Sequence, residues 1–103
     1  MRLPKGRPPI HPGEILLEEF LKPMGISQYR LAKGTGISYQ RVNDVVHARR
    51  PVSLDTAFRF ARYFGTSAGL WVNMQARWDT WHFQQSEKFK AIEKDVEPME
   101  VVG

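Results

Sequence analysis

The sequence contains no cysteine, which excludes disulfides and thiolate metal sites and fits a reducing cytoplasm. It has only three histidines, His11, His47 and His82, none with a second histidine at ligand spacing, so no metal site is expected. No apolar run approaches the ~20 residues needed to cross a bilayer, and the opening stretch MRLPKGRPPIHPGE lacks the apolar core of a signal peptide. A cytoplasmic protein without membrane contact is the expectation. The motifs of catalysis are missing too: there is no G-x-S-x-G, P-loop, H-E-x-x-H or G-x-G-x-x-G, and Glu18 and Glu19, adjacent on a helix, point in different directions. No catalytic residue and no cofactor is expected.

What is present suits one small globule. At 103 residues, with 42% apolar and 25% charged side chains, the chain can bury roughly 60–65% of its unfolded surface around one modest core. The net charge of +4 is unevenly spread: residues 1–66 hold eleven Lys and Arg against five Asp and Glu, and residues 67–103 hold four against six. A basic excess in the first two thirds suits either a polyanionic partner or a solvated basic face.

The most informative stretch is SQYRLAKGTGISYQRVNDVVHARR, Ser27 to Arg50. Ser27 can cap a short helix over about Gln28 to Lys33, with Leu31 and Ala32 facing in; Gly34, Thr35 and Gly36 break it. Ser38 can cap a second helix over about Tyr39 to His47, seated by Val42 with Val45 or Val46. Small Ala32 and Gly36, four apart, permit the steep, close crossing of a helix-turn-helix. Ala48 then stands where a left-handed glycine is expected, so either the chain leaves the helix another way or it tolerates a cost of about 1 kcal/mol.

Around this pair the spacing predicts three more helices. The first runs from about Pro12 to Lys22, ended by Pro23 and Gly25, with Ile15, Leu16, Phe20, Leu21 and Met24 facing inward and Leu17 either peripheral core or an exposed contact. Ser53 caps the fourth, whose core face is read as Leu54, Ala57, Phe58 and Ala61, with Phe64 near its end at Gly65. Ser67 caps the fifth, in which Leu70, Trp71, Met74, Trp78 and Trp81 recur through Phe83. Three tryptophans in eleven residues suit a dimer or partner interface, with Trp71, Met74, Trp78 and Trp81 its candidate residues, or purely internal packing. Residues 1–10, rich in Pro, Arg and Lys, are expected to form a flexible basic arm, and 84–103 a polar tail that is either a short helix followed by a strand pairing with another chain or a frayed end. Residues 11–83 are the domain between them.

The second helix of the pair, the third of the chain, presents Tyr39, Gln40, Asn43 and Asp44 opposite its valines, the side chain types that read base edges in a major groove. Gln40 would address adenine through a bidentate bond, and Ser27, Ser38, Arg41, Arg49 and Arg50 would set register on phosphates. HPGEIL (His11 to Leu16), SQ-x-x-LA (Ser27 to Ala32), GIS (Gly36 to Ser38), SLDTAFRFARYFGTS (Ser53 to Ser67) and W-x-N-M-Q (Trp71 to Gln75) complete the pattern.

On these elements the chain from about Ile10 to Trp81 resembles the HigA/VapI family of antitoxins, which carry the helix-turn-helix of the XRE, or phage-repressor-like, regulators. The resemblance implies an all-α, five-helix phage-repressor-like domain with a short C-terminal extension, acting as a homodimer on a double-stranded operator in its own promoter. It also implies a neighbouring HigB-like toxin, an mRNA-cleaving nuclease of the RelE type, neutralised by complex formation. Gln28 matches the family position that bonds a phosphate, and Tyr39, Gln40, Asn43 and Asp44 match its exposed recognition positions. Two other readings stay open: an XRE-family regulator without a toxin partner, and a toxin-binding module with weak DNA binding.

Overall fold

A computed structural model describes residues 7–100. Residues 1–6 of the expected arm and 101–103 of the expected tail lie outside the described residues. Among the described residues every regular element is helical. The first helix, α1, runs without a break through Pro12–Ile15, Leu16–Leu21 and Lys22–Met24. It is followed by α2 (Gln28–Thr35), α3 (Tyr39–Val46), α4 (Leu54–Phe64), α5 (Ala68–Gln84) and α6 (Glu87–Asp95).

A side chain caps the start of each helix. Ser27, Ser38, Ser53, Ser67 and Ser86 each accept a hydrogen bond from the backbone N–H three residues on, which satisfies one of the donors that a helix start leaves without a partner. In α1 the cap is His11, whose Nδ1 accepts from the Gly13 N–H at 2.9 Å. Gly25, Gly36 and Gly65 end α1, α2 and α4 with φ of 65°, 73° and 74°, the left-handed conformation that glycine adopts without steric cost.

The middle of α1 departs from the expected regular helix. Its Leu16–Leu21 segment is π-helical, with the Lys22 N–H bonded to the Leu17 carbonyl five residues back. The wider turn brings Leu16 and Leu21 together on the buried side. Pro23 follows two residues after this segment and sits inside the last turn instead of ending the helix. Met24 is consequently exposed.

One core joins α1 to α5: Leu16, Leu21, Leu31, Ala32, Ile37, Val42, Val45, Val46, Val52, Ala57, Phe60, Ala61 and Trp71. Both Val45 and Val46 are buried, so α3 is seated by three β-branched residues. The core face of α4 is Thr56, Ala57, Phe60 and Ala61. Leu54 and Phe58, read from sequence as core, are 66% and 62% exposed. The stripe through 57, 60, 61 and 64 leaves Leu54 about 70° and Phe58 about 110° from its centre. Gly34 stays within α2, where its missing side chain lets Tyr63 of α4 lie against the helix; a Cβ there would stand 2.3 Å from the ring.

Trp71 requires a second correction. It is fully buried within its own chain, its ring 5.1 Å from Phe20, 5.2 Å from Phe60 and 6.1 Å from Phe64, centre to centre. It is therefore a core residue and cannot meet another subunit. Met74, Trp78 and Trp81 are half-buried. The C-terminal extension carries a sixth helix, α6, laid on the end of α5 through the Phe83–Phe89 ring contact.

His11 links the fold to pH. It is buried, with its ring edge-on to Trp78 at 4.9 Å, and burial holds its pKa below the ordinary 6.5; Asp79 opposes that shift and His82 reinforces it. Protonation would place a hydrogen on Nδ1, the atom that accepts the Gly13 N–H. Because the folded pKa is depressed, the contribution is complete above pH 6.5 and is lost as pH falls through the lowered folded value. Thermal melts of wild type should therefore fall more steeply below pH 6.5 than those of His11→Asn, which keeps an N-cap acceptor and does not titrate. Parallel pH profiles would refute this coupling.

Candidate nucleic-acid interface

The amino end of α2 and the exposed side of α3 form one polar surface, and the packing beneath decides which side chains reach it. Val42, Val45 and Val46 turn inward, so Tyr39 and Gln40 face solvent while Asn43 and Asp44 sit half-buried at the edge. The helix ends at His47, and Ala48 takes a φ of 58°. Of the two exits open to an alanine, the chain takes the strained one. The Ala48 N–H bonds to the Val45 carbonyl at 3.0 Å and the Arg49 N–H to the Asp44 carbonyl at 2.8 Å, which closes a Schellman turn. That turn swings Arg49 and Arg50 back over the end of α3.

A connected set of hydrogen bonds results. The Asn43 Nδ2 donates to Gln28 Oε1 at 2.9 Å, joining α3 to the first residue of α2. Arg49 donates through NH2 to Asn43 Oδ1 at 2.8 Å and through Nε to Asp44 Oδ1 at 3.3 Å. Gln40 Nε2 donates to the same Asp44 oxygen at 2.9 Å, and Arg50 Nε lies 3.9 Å from Asp44 Oδ2. Of the residues expected at this surface, the fold thus brings Gln28, Gln40, Asn43, Asp44, Arg49 and Arg50 into one network. Ser27 and Ser38 flank it; each caps its helix by accepting a bond, so the hydroxyl hydrogen remains for a phosphate oxygen. Arg41 turns toward α4, where its NH1 is 3.8 Å from the Asp55 carboxylate.

Sequence reasoning misses three supporting residues. Gln75 is buried on α5, accepts from the Val52 N–H through Oε1 at 2.8 Å and donates to Asp79 at 2.9 Å, tying the loop after α3 to the long helix. Arg59 of α4 donates to the Thr35 carbonyl at 2.8 Å and to Asp55 at 2.8 Å, which closes the carboxyl end of α2. Gly13 lets α1 approach the end of α3: a Cβ there would stand 1.7 Å from the Val45 carbonyl oxygen. A polar residue such as Gln75, one turn from a core tryptophan, was the available signal for the first. Pro8, Pro9 and Ile10 line a surface cavity with Leu17, Val46, Ala48 and Trp78, so this part of the expected arm lies on the body near the same end of α3.

Comparison with known proteins identifies the architecture. The Helix-turn-helix family model matches residues 17–71. "Virulence-associated protein I" of Dichelobacter nodosus is 50% identical over 82 residues, covering 77% of this chain and 76% of its own. Among solved structures, Pseudomonas aeruginosa antitoxin HigA with the higBA promoter superposes with a TM-score of 0.83 at 42% identity, covering 89% of this chain and 99% of its own. Antitoxin GraA in complex with its operator gives a TM-score of 0.83 at 36% identity, with 97% and 100% covered. On this family match, identity and coverage, the chain belongs to the XRE-type helix-turn-helix family as one of the HigA/VapI antitoxins.

Proposed function

We propose that this protein is a cytoplasmic antitoxin and autorepressor that binds an operator in its own promoter as a homodimer and neutralises a cognate HigB-like, mRNA-cleaving toxin by forming a complex with it. The observation that carries the DNA-binding half is the network on α3. Gln28, Asn43 and Arg49 are tied together before any DNA arrives, so the surface meets the duplex with its polar groups already oriented. Two copies of α3 in successive major grooves, about 34 Å apart, fit a near-palindromic site. Gln40 and Tyr39, the two most outward residues of the helix, address base edges. Gln28, with the Ser27 and Ser38 hydroxyls at the two helix starts, holds phosphates, and Arg41, Arg49 and Arg50 add charge along the backbone. Met74, Trp78 and Trp81, half-buried along α5, supply the apolar anchors of the dimer or of the toxin contact.

Titration against DNA from upstream of its own gene and against random duplex, at matched salt, tests the operator reading. Promoter DNA is expected to bind at least about 10³-fold tighter. Gln40→Ala should cost about 1–3 kcal/mol on the promoter and relax preference at one base pair, with random DNA unchanged. Equal losses on both duplexes would remove Gln40 from base reading. Co-expression with the adjacent reading frame tests the toxin half, with restored growth as the expected result and unrelieved toxicity as the contrary one.

A further inference from the structure

The DNA-facing side of α3 carries a carboxylate, which faces the strongest anion the protein meets. Asp44 is held unusually well for such a position, its side chain only 17% exposed. Oδ1 accepts from both Gln40 Nε2 and Arg49 Nε, at 2.9 and 3.3 Å, so both of its lone pairs are engaged. Oδ2 faces Arg50 at 3.9 Å. The strained turn at Ala48 keeps both arginines in that position, and Arg49 is fixed a second time by Asn43. A cytosine amine approaching this edge would find Oδ1 taken.

We infer that Asp44 is a specificity-determining positioning residue, which holds Arg49 and Arg50 back from the phosphates of arbitrary DNA and fixes the Gln40 amide for base reading. The inference rests on α3 being the operator-reading helix. Two arginines beside a polyanion bind phosphates of any sequence, and each such contact releases counterions and strengthens non-specific binding. A carboxylate between them offers a charge-assisted partner within the chain and repels phosphate itself, so sequence-independent binding loses on both counts. Both arginine side chains are about half exposed, at 56% and 48%, so these ion pairs can be exchanged for phosphate once the docked geometry rewards the exchange.

The second action is on Gln40. Its amide nitrogen carries two hydrogens, and with one held by Asp44 the other remains to donate to adenine N7 while Oε1 accepts from N6–H. A carboxylate only accepts, so it permits one orientation of that amide. An asparagine at 44 can accept or donate and permits both. Asp44→Asn therefore releases the arginines and loosens the base reader together.

Full-length wild type, Asp44→Asn, Arg49→Gln/Arg50→Gln and the triple variant are titrated with promoter DNA and with random duplex of equal length between 50 and 200 mM salt. For Asp44→Asn, random DNA should bind about tenfold tighter and its log–log salt slope should steepen by about 1–2 as two more phosphates are neutralised. Promoter affinity should move less than about threefold, because the arginine gain is offset by the looser Gln40, so discrimination falls on the order of tenfold. In the Arg49→Gln/Arg50→Gln background the gain on random DNA should vanish, which a purely structural role of Asp44 would not produce. Asp44→Ser repeats the series should the asparagine variant melt early.

Unchanged random-DNA affinity and slope, equal gains on both duplexes, or a gain that survives loss of the two arginines would each overturn the role of Asp44. A wild type that binds its promoter no tighter than random DNA would instead overturn the operator reading, and this inference with it.

Discussion

Gly13→Ala should cost about 3 kcal/mol or more and lower the melting temperature by on the order of 10–20 °C. The added Cβ would stand 1.7 Å from the Val45 carbonyl oxygen and 2.7 Å from its carbon, and backbone atoms within a helix have no rotamer by which to retreat. Relief requires α1 to lift away from α3. Val45 also accepts the Ala48 N–H, so the displacement would reach the turn that presents Arg49 and Arg50. Operator affinity should therefore fall along with stability. Circular dichroism melts and a promoter titration below the transition measure the two effects separately. A variant that melts within two or three degrees of wild type would show that α1 and α3 do not approach as closely as this.

Trp71→Ala should cost about 3–5 kcal/mol, the usual range for removing a fully buried aromatic side chain. The loss comprises the transfer of a large apolar surface and the cavity it leaves among Phe20, Phe60 and Phe64. The Thr66 hydroxyl would also lose the Trp71 Nε1–H, which donates to it at 3.0 Å. Urea unfolding gives the magnitude. Sedimentation distinguishes core from interface: at temperatures where the variant remains folded, Trp71→Ala should leave self-association unchanged, and Trp81→Ala should weaken it. Dissociation caused by Trp71→Ala alone, with stability intact, would return Trp71 to the interface.

These two residues also mark how far the sequence could be read. Helix starts are local events, set by one hydroxyl and the amide three residues on, and Ser27, Ser38, Ser53 and Ser67 were all legible as caps. The helix-turn-helix and the side of α3 that faces out were legible from the same short range, because Val42, Val45 and Val46 fix the buried side. Close approaches are not local. Nothing near Gly13 in the chain signals that Val45 comes to rest against it, and nothing near Gln75 signals the Val52 N–H. Periodicity misled where two stripes competed: Leu54 and Phe58 are four apart, as a core pair would be, yet Ala57, Phe60 and Ala61 form the stripe that is buried. Three tryptophans in eleven residues suit an interface or internal packing alike, and burial assigns Trp71 to the core. The position of Asp44 on α3 is legible but its partners are not, since the backbone turn that returns Arg49 to it depends on an alanine adopting a conformation that alanine disfavours.

Six helices that each begin with their own side-chain cap have a kinetic consequence. Every start is specified by residues two or three apart, so the helix boundaries are set by local contacts that need no other helix in place. A chain assembled from such local contacts searches few wrong pairings and belongs among the microsecond-to-millisecond folders. Folding of the single chain is then far shorter than the roughly 5–20 s that its translation takes at about 5–20 residues per second. For the single chain, the slow step is synthesis and not folding.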